Sequence, residues 1–173
     1  MKISSVWLVT ALTALISCGC SKEHDNSKPF TSQEGGFSVC FPGKPKEDVS
    51  NADLKVLHRF YVEAEGAAYF VLYGDVPEQR IKVGAETIYN EVRNGIPTTG
   101  GKLLAEKPIT ATGVLGRELI YVKKNEGNTY VQRLFLTKKR FYQVMVVLPI
   151  GNERKASTDI VHFLDSFSFV NDK

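Results

Sequence analysis

A chain of 173 residues holds enough material for one ordinary domain, and its 43% hydrophobic and 24% charged residues exclude both a disordered polymer and a polytopic membrane protein. A formal net charge of +3 gives no long-range attraction for a phosphate backbone, so nucleic acid is not an expected partner.

The chain opens with "ISSVWLVTALTALI", residues 3 to 16, uncharged and preceded by Lys2, which is the arrangement of a secretory signal. At about 1.5 Å per residue a helix of that length reaches roughly 20 Å, short of a hydrocarbon core about 30 Å thick, so a spanning anchor is the weaker reading. Leu15-Ile16-Ser17-Cys18 then resembles the lipobox that closes the signal peptide of bacterial lipoproteins. The resemblance implies transfer of a diacylglyceryl group to the Cys18 thiol and removal of residues 1–17. It further implies a product exported and lipid-anchored to a cell-envelope membrane, with its domain outside the cytoplasm. Two acyl chains make such attachment stable, where one is marginal. Cys20 as the lipid site, or an ordinary cleaved signal ending near Gly19 or Ser21 with a freely secreted product, are the alternatives. Residues 18–28 read as a flexible spacer and residues 29–173 as a single domain that folds without them.

From Pro29 onward, short apolar runs are punctuated by Gly, Pro, Asn and Asp, which reads as strands. Phe37, Val39 and Phe41 alternate with Ser38 and Cys40 before Pro42-Gly43. "LKVLHRFYVEAEGAAYFVLYGDVP" gives two strands about a Glu65-Gly66 turn, the second apolar on both faces from Tyr69 to Tyr73. A first helix follows from the spacing of Ile81, Ala85, Ile88 and Val92, with Asn94-Gly95 as its stop and Pro97 against its continuation. Four further strands are expected over Leu103 to Thr112, Arg117 to Val122, Thr129 to Thr137 and Phe141 to Leu148. Between them, "KKNEGN" and "KKR" are turns, and the glycines of "GVLGRE" a turn as well. The last helix, roughly Glu153 to Asp165, aligns Ala156, Ile160, Phe163, Leu164 and Phe167 on one stripe. The order predicts an α+β fold, a twisted antiparallel sheet with two helices packed on it.

"GGFSVCFPGKPKE", "GVLGRELIYV", "RLFLTKKRFYQVMVV" and "FLDSFSF", in this order over residues 34–169, resemble a group of bacterial exported proteins whose element order is similar to the PsbP-like fold. These motifs are structural: Phe37 and Phe41 as inward strand residues, Gly116-Arg117-Glu118 as a strand start, Phe163, Leu164 and Phe167 as a docking stripe. What the resemblance implies about function is binding and assembly work, with no catalytic motif to carry over.

Chemistry-bearing residues are sparse. His24, His58 and His162 form no pair at ligand spacing and have no Cys or carboxylate suitably placed, so neither a metal site nor a cofactor is expected. His162 adjoins the apolar stripe and reads as a boundary histidine. Nucleophile-elbow and phosphate-loop motifs are absent, so no catalytic residue is assigned and the chain is not read as an enzyme. Glu63 with Glu65, and Asp159 with Asp165, read as solvated carboxylates. Lys138-Lys139-Arg140 and Lys123-Lys124 read as polar turns, expected at one end of the sheet, where anionic headgroups are a conceivable contact. Cys40 reads as a small buried hydrophobe, with a Cys20–Cys40 disulfide open once Cys18 is lipidated. The expected function is a lipid-anchored envelope binding or assembly module for a protein or small ligand; the alternative is an envelope hydrolase with an unrecognised site.

Overall fold

In Ala67–Asp75 every second side chain is withdrawn from solvent, with Tyr69 and Val71 fully buried and Tyr73 nearly so, the period-two signature of a strand with one face on a core. The computed structural model describes residues 28–52, 55–152 and 157–170. Its strands are β1 (Phe30–Ser32), β2 (Phe37–Val39), β3 (Lys46–Ala52), β4 (Lys55–Ala64) and β5 (Ala67–Asp75). Helices α1 (Glu78–Lys82) and α2 (Ala85–Thr98) follow, then β6 (Gly101–Ala111), β7 (Val114–Lys123), β8 (Asn128–Leu136), β9 (Arg140–Pro149), α3 (Ser157–Ser166) and β10 (Ser168–Phe169). Among the described residues no helix is long and apolar enough to cross a membrane.

Seven strands form one antiparallel sheet in the order β3-β4-β5-β9-β8-β7-β6. It is two meanders joined side by side: β3 to β5, and β6 to β9, with the helices α1 and α2 carrying the chain from β5 to the far edge. Both faces are used. On one face, Phe60, Tyr69, Val71, Tyr73, Phe135, Tyr142 and Val144 pack under α3 and under a small sheet, β1-β2-β10. Phe37 of β2 stands at the centre of that layer, its ring 5.6 Å from Phe60, 6.0 Å from Tyr73 and 5.8 Å from Phe167. On the other face, Leu119, Tyr121, Tyr130 and Leu134 pack against Tyr89 and Ile96 of α2. There the buried Tyr89 hydroxyl accepts from the Leu136 amide at 2.8 Å and donates to the Leu115 carbonyl at 3.0 Å, tying α2 to two strands at once. Helix α2 lies over β6, β7 and β8, so the β3–β4–β5 half of this face carries partly exposed side chains, Tyr61 and Phe70 among them.

The expected α+β order and the four strands β6 to β9 are present, but the helices differ. There are three. The stripe from Ile81 to Val92 is divided by Val83-Gly84, where Gly84 adopts φ 89°, a left-handed-side conformation that favours glycine. Asn94-Gly95 does not stop α2, which runs on to Thr98 with Pro97 in its last turn, because Ile96 one residue past Gly95 is buried in the core. Packing overrides the local stop signal there. In "GVLGRE" only Gly113 turns, at φ 82°. Gly116 lies within β7, where an added Cβ would stand 2.4 Å from the Phe135 ring and 2.5 Å from the Leu134 carbonyl oxygen.

Candidate functional site

At one end of the sheet the register sets His58 opposite Tyr73, and Asp75 opposite Arg140. β4, β5 and β9 thereby contribute a titratable ring, a phenol, a carboxylate and a guanidinium to one corner of the small-sheet face. The β1–β2 turn adds Glu34. Together they border a cleft of about 650 Å³, with Val56, Val76 and Pro77 as its apolar wall.

Tyr73 is its organising side chain. The His58 ring stacks on it at 4.6 Å with the planes 2° apart, and the Arg140 guanidinium carbon lies 5.1 Å from its centroid. Burial pushes the Tyr73 phenol up to about 12, with the Glu34 carboxylate adding to the rise and the Arg140 charge opposing it. Arg140 is fixed from several sides: its Nε donates to Asp75 Oδ1 at 2.7 Å, a terminal nitrogen donates to the Glu34 carbonyl, and its face meets Tyr73. Burial alone lowers the guanidinium's proton affinity, but the hydrogen bond and charge of Asp75 reverse that, and the net direction is upward. Lys139 reaches the other Asp75 oxygen at 3.7 Å.

His58 is held between two carboxylates that do not hydrogen-bond it. Glu47 Oε1 of β3 is 3.6 Å from Nδ1, and Glu34 Oε1 is 3.7 Å from Nε2, both past the usual hydrogen-bond range. Nδ1 is buried without a hydrogen-bond partner among the described residues. A second hollow of about 280 Å³ opens around the Gly74–Pro77 corner on the opposite face, walled by Leu57, Leu72, Ile88 and Phe141 and rimmed by the Arg80–Glu91 ion pair. The arrangement offers a stacked aromatic platform, a fixed cation and an imidazole beside apolar wall, which suits recognition of a group part planar and part polar.

The residues singled out from sequence are dispersed. Cys18, Cys20 and His24 lie outside the described residues. Cys40 is half-buried just past β2, where its backbone N–H donates to Ser166 Oγ at 2.8 Å; it has no disulfide partner among the described residues. His162 is exposed on α3 above a shallow hollow, instead of forming a boundary to the core. Glu63 and Glu65 stand exposed at the β4–β5 hairpin, while Asp165 pairs with Arg133 at 2.7 Å. Among the described residues no three His, Cys, Asp or Glu side chains converge as a metal-binding group. Lys123-Lys124 and Lys138-Lys139-Arg140 occupy opposite ends of the sheet, because they belong to consecutive hairpins, β7–β8 and β8–β9, and consecutive hairpin turns alternate ends. Of the residues singled out from sequence, His58 and Arg140 line the cleft. Tyr73 reads from sequence as core and Arg140 as a turn cation, and strand register brings both to the cleft, while Glu34 reaches it from the β1–β2 turn.

No family model matches the sequence, and no curated protein does. In fold the chain is similar to the solution structure of cyanobacterial PsbP (CyanoP) from Synechocystis sp. PCC 6803, with a TM-score of 0.58 and 12% identity over 90% of this chain and 98% of that one. It is also similar to the crystal structure of PA94, a protein of unknown function from Pseudomonas aeruginosa, with a TM-score of 0.50 and 10% identity over 80% of this chain and 94% of that one. The fold is PsbP-like.

Proposed function

We propose that the protein is a binding or assembly module of the bacterial cell envelope, exported, tethered to a membrane through a lipid on Cys18, and engaging a protein or small ligand at the His58–Tyr73–Arg140 cleft. The observation that carries the binding site is the cleft itself: Arg140 is held by Asp75 and Glu34 instead of being poised over a nucleophile, and His58 stacks on Tyr73 with no serine, threonine or cysteine among the residues that line it. The Leu15-Ile16-Ser17-Cys18 resemblance supports the tether. Anchoring confines such a module to the membrane plane and raises its effective concentration toward a membrane partner.

The test has two arms. Metabolic labelling with a fatty acid, and with it membrane association, should vanish in Cys18→Ser and persist in Cys20→Ser; the reverse pattern moves the anchor to Cys20. In a complementation assay, Cys40→Ser and His162→Gln should retain function, whereas His58→Gln, which removes the ring stacked on Tyr73, should weaken it, and His58→Phe, which keeps a ring for that stack but cannot act as a base, should retain most of it. Loss of function in His58→Phe as complete as in His58→Gln, with folding and attachment intact, would shift the reading to a hydrolase.

A further inference from the structure

The large sheet ends in two strands, and their outer edges are built differently. β6 has a register shift between Leu103 and Ala105 and has Pro108 in its middle, where no backbone N–H is available. A bulge and a proline interrupt the edge's backbone hydrogen-bonding row itself, and are two of the devices by which an edge is kept from recruiting another strand. β3 has neither. It pairs with β4 in unbroken register from Lys46 to Ala52, residues 46 to 50 are all exposed, and among the described residues no element lies along its other side. Val49 at its midpoint is 48% exposed, next to the equally exposed Val56 of β4 on the same face.

We propose that β3 pairs antiparallel with β3 of a second copy of this chain, about a two-fold axis at Val49, extending the sheet from seven strands to fourteen. The sequence "KEDVSNA" selects this partner and this register. Centring the two-fold at Glu47 or Asp48 sets that carboxylate directly against its own copy, which is destabilising. A centre at Ser50 leaves residues 46 and 47 with no opposite number in the strand. Centred at Val49, all seven residues pair: Lys46 with Ala52, Glu47 with Asn51, Asp48 with Ser50, and Val49 with itself. No like charges are then opposed, and an exposed apolar side chain is covered by its equivalent. Asp48 is already partnered within each copy by Arg59. The inference is independent of what the cleft binds.

The register makes a geometric test possible. Opposed residues of an antiparallel pair have Cα atoms about 4.5–5.5 Å apart, inside the span of a disulfide. Residues offset by four positions stand about 13 Å apart along the strand, outside it. In full-length protein carrying Cys20→Ser and Cys40→Ser, solubilised in mild detergent and treated with copper-phenanthroline, Val49→Cys should give a covalent dimer. Glu47→Cys, whose equivalents lie four positions apart, and Leu104→Cys on β6 should stay at the level of the parent. Val49→Lys, which sets two ammonium groups face to face at an exposed site, should sediment as a monomer where the parent sediments as a dimer, with unchanged circular dichroism. A monomeric parent, cross-linking equally strong from Leu104→Cys, or a Val49→Cys adduct of a mass other than twice the chain would overturn self-pairing; the last outcome would assign the edge to a different protein's strand.

Discussion

Replacing Arg133 by methionine tests how the sheet holds its last helix. Arg133 projects from β8 and is 15% exposed; its Nε donates to Glu118 Oε2 at 2.7 Å, one terminal nitrogen to the Leu164 carbonyl at 2.6 Å, and the other to Asp165 Oδ1 at 2.7 Å. Glu118, 6% exposed, keeps one other cation, Lys107, at 3.0 Å. Methionine fills the apolar stem of the arginine but leaves a buried carboxylate half-compensated and the end of α3 without its donor. Breaking a buried pair from one side costs about 3–5 kcal/mol; Lys107 retains part of the compensation and the Leu164 carbonyl adds about 1, so a loss of about 3–4 kcal/mol is expected. At about 2–4 °C per kcal/mol for a domain of this size, the melting temperature should fall by about 10 °C. Urea titration of Arg133→Met, Glu118→Leu and the double variant closes a thermodynamic cycle. The double variant should be nearer the parent than Arg133→Met, because the orphaned charge has gone, and the coupling should exceed about 2 kcal/mol. Additivity within about 0.5 kcal/mol would refute the reasoning, since it would mean the two side chains do not act through each other.

Tyr89→Phe removes one oxygen that both accepts from Leu136 and donates to Leu115, so it should lower stability by about 1–3 kcal/mol in urea titration with no change in the sheet's circular dichroism; a neutral result would mean that water replaces both bonds. The phenols of Tyr69, Tyr73, Tyr121 and Tyr130 are each pushed up to about 12, chiefly by burial, against about 10 in an unfolded chain. The folded state therefore binds these protons more tightly. Its stability should be level up to about pH 10 and fall between about pH 10 and 12, with phenolate absorbance rising late and together with unfolding. Four tyrosines ionising near pH 10 in a still-folded protein would contradict the burial described above.

Much of the large sheet is legible in the sequence because β-rich apolar runs are bounded by turn residues, but the run from Tyr69 to Tyr73 is apolar on both faces and only the side of Tyr69, Val71 and Tyr73 is fully withdrawn, Phe70 and Leu72 being half-buried. The Glu65-Gly66 turn is legible because a glycine between two β-rich runs admits the positive φ of a short hairpin turn, which both residues adopt. β3 is not, since "KEDVSNA" has no apolar alternation and is a strand only because β4 offers it an edge. The break between α1 and α2 is hidden by a spacing, Ile81 to Ala85, that continues evenly across Gly84. The cleft is hidden more deeply. His58, Tyr73 and Arg140 share no local pattern, and their proximity is a property of which strand lies beside which, with β5 and β9 brought together from distant parts of the chain.

The small sheet has a kinetic consequence. Its middle strand, β2, is flanked by β1 just upstream and by β10 near the other end of the chain, with Phe37 in register with Phe169 and the Val170 amide donating to the Gly36 carbonyl at 2.9 Å. Closing that contact joins positions roughly 130 residues apart, a slow step because the intervening chain must be ordered before the contact stabilises anything. Until it closes, Phe37, Phe41 and Tyr69 lack Phe163 and Phe167, their ring partners from the late segment. A nascent chain stopped before α3 thus presents an uncovered aromatic face, and it is in this interval, before the final twenty or so residues arrive, that the protein is most exposed to aggregation and most in need of a chaperone.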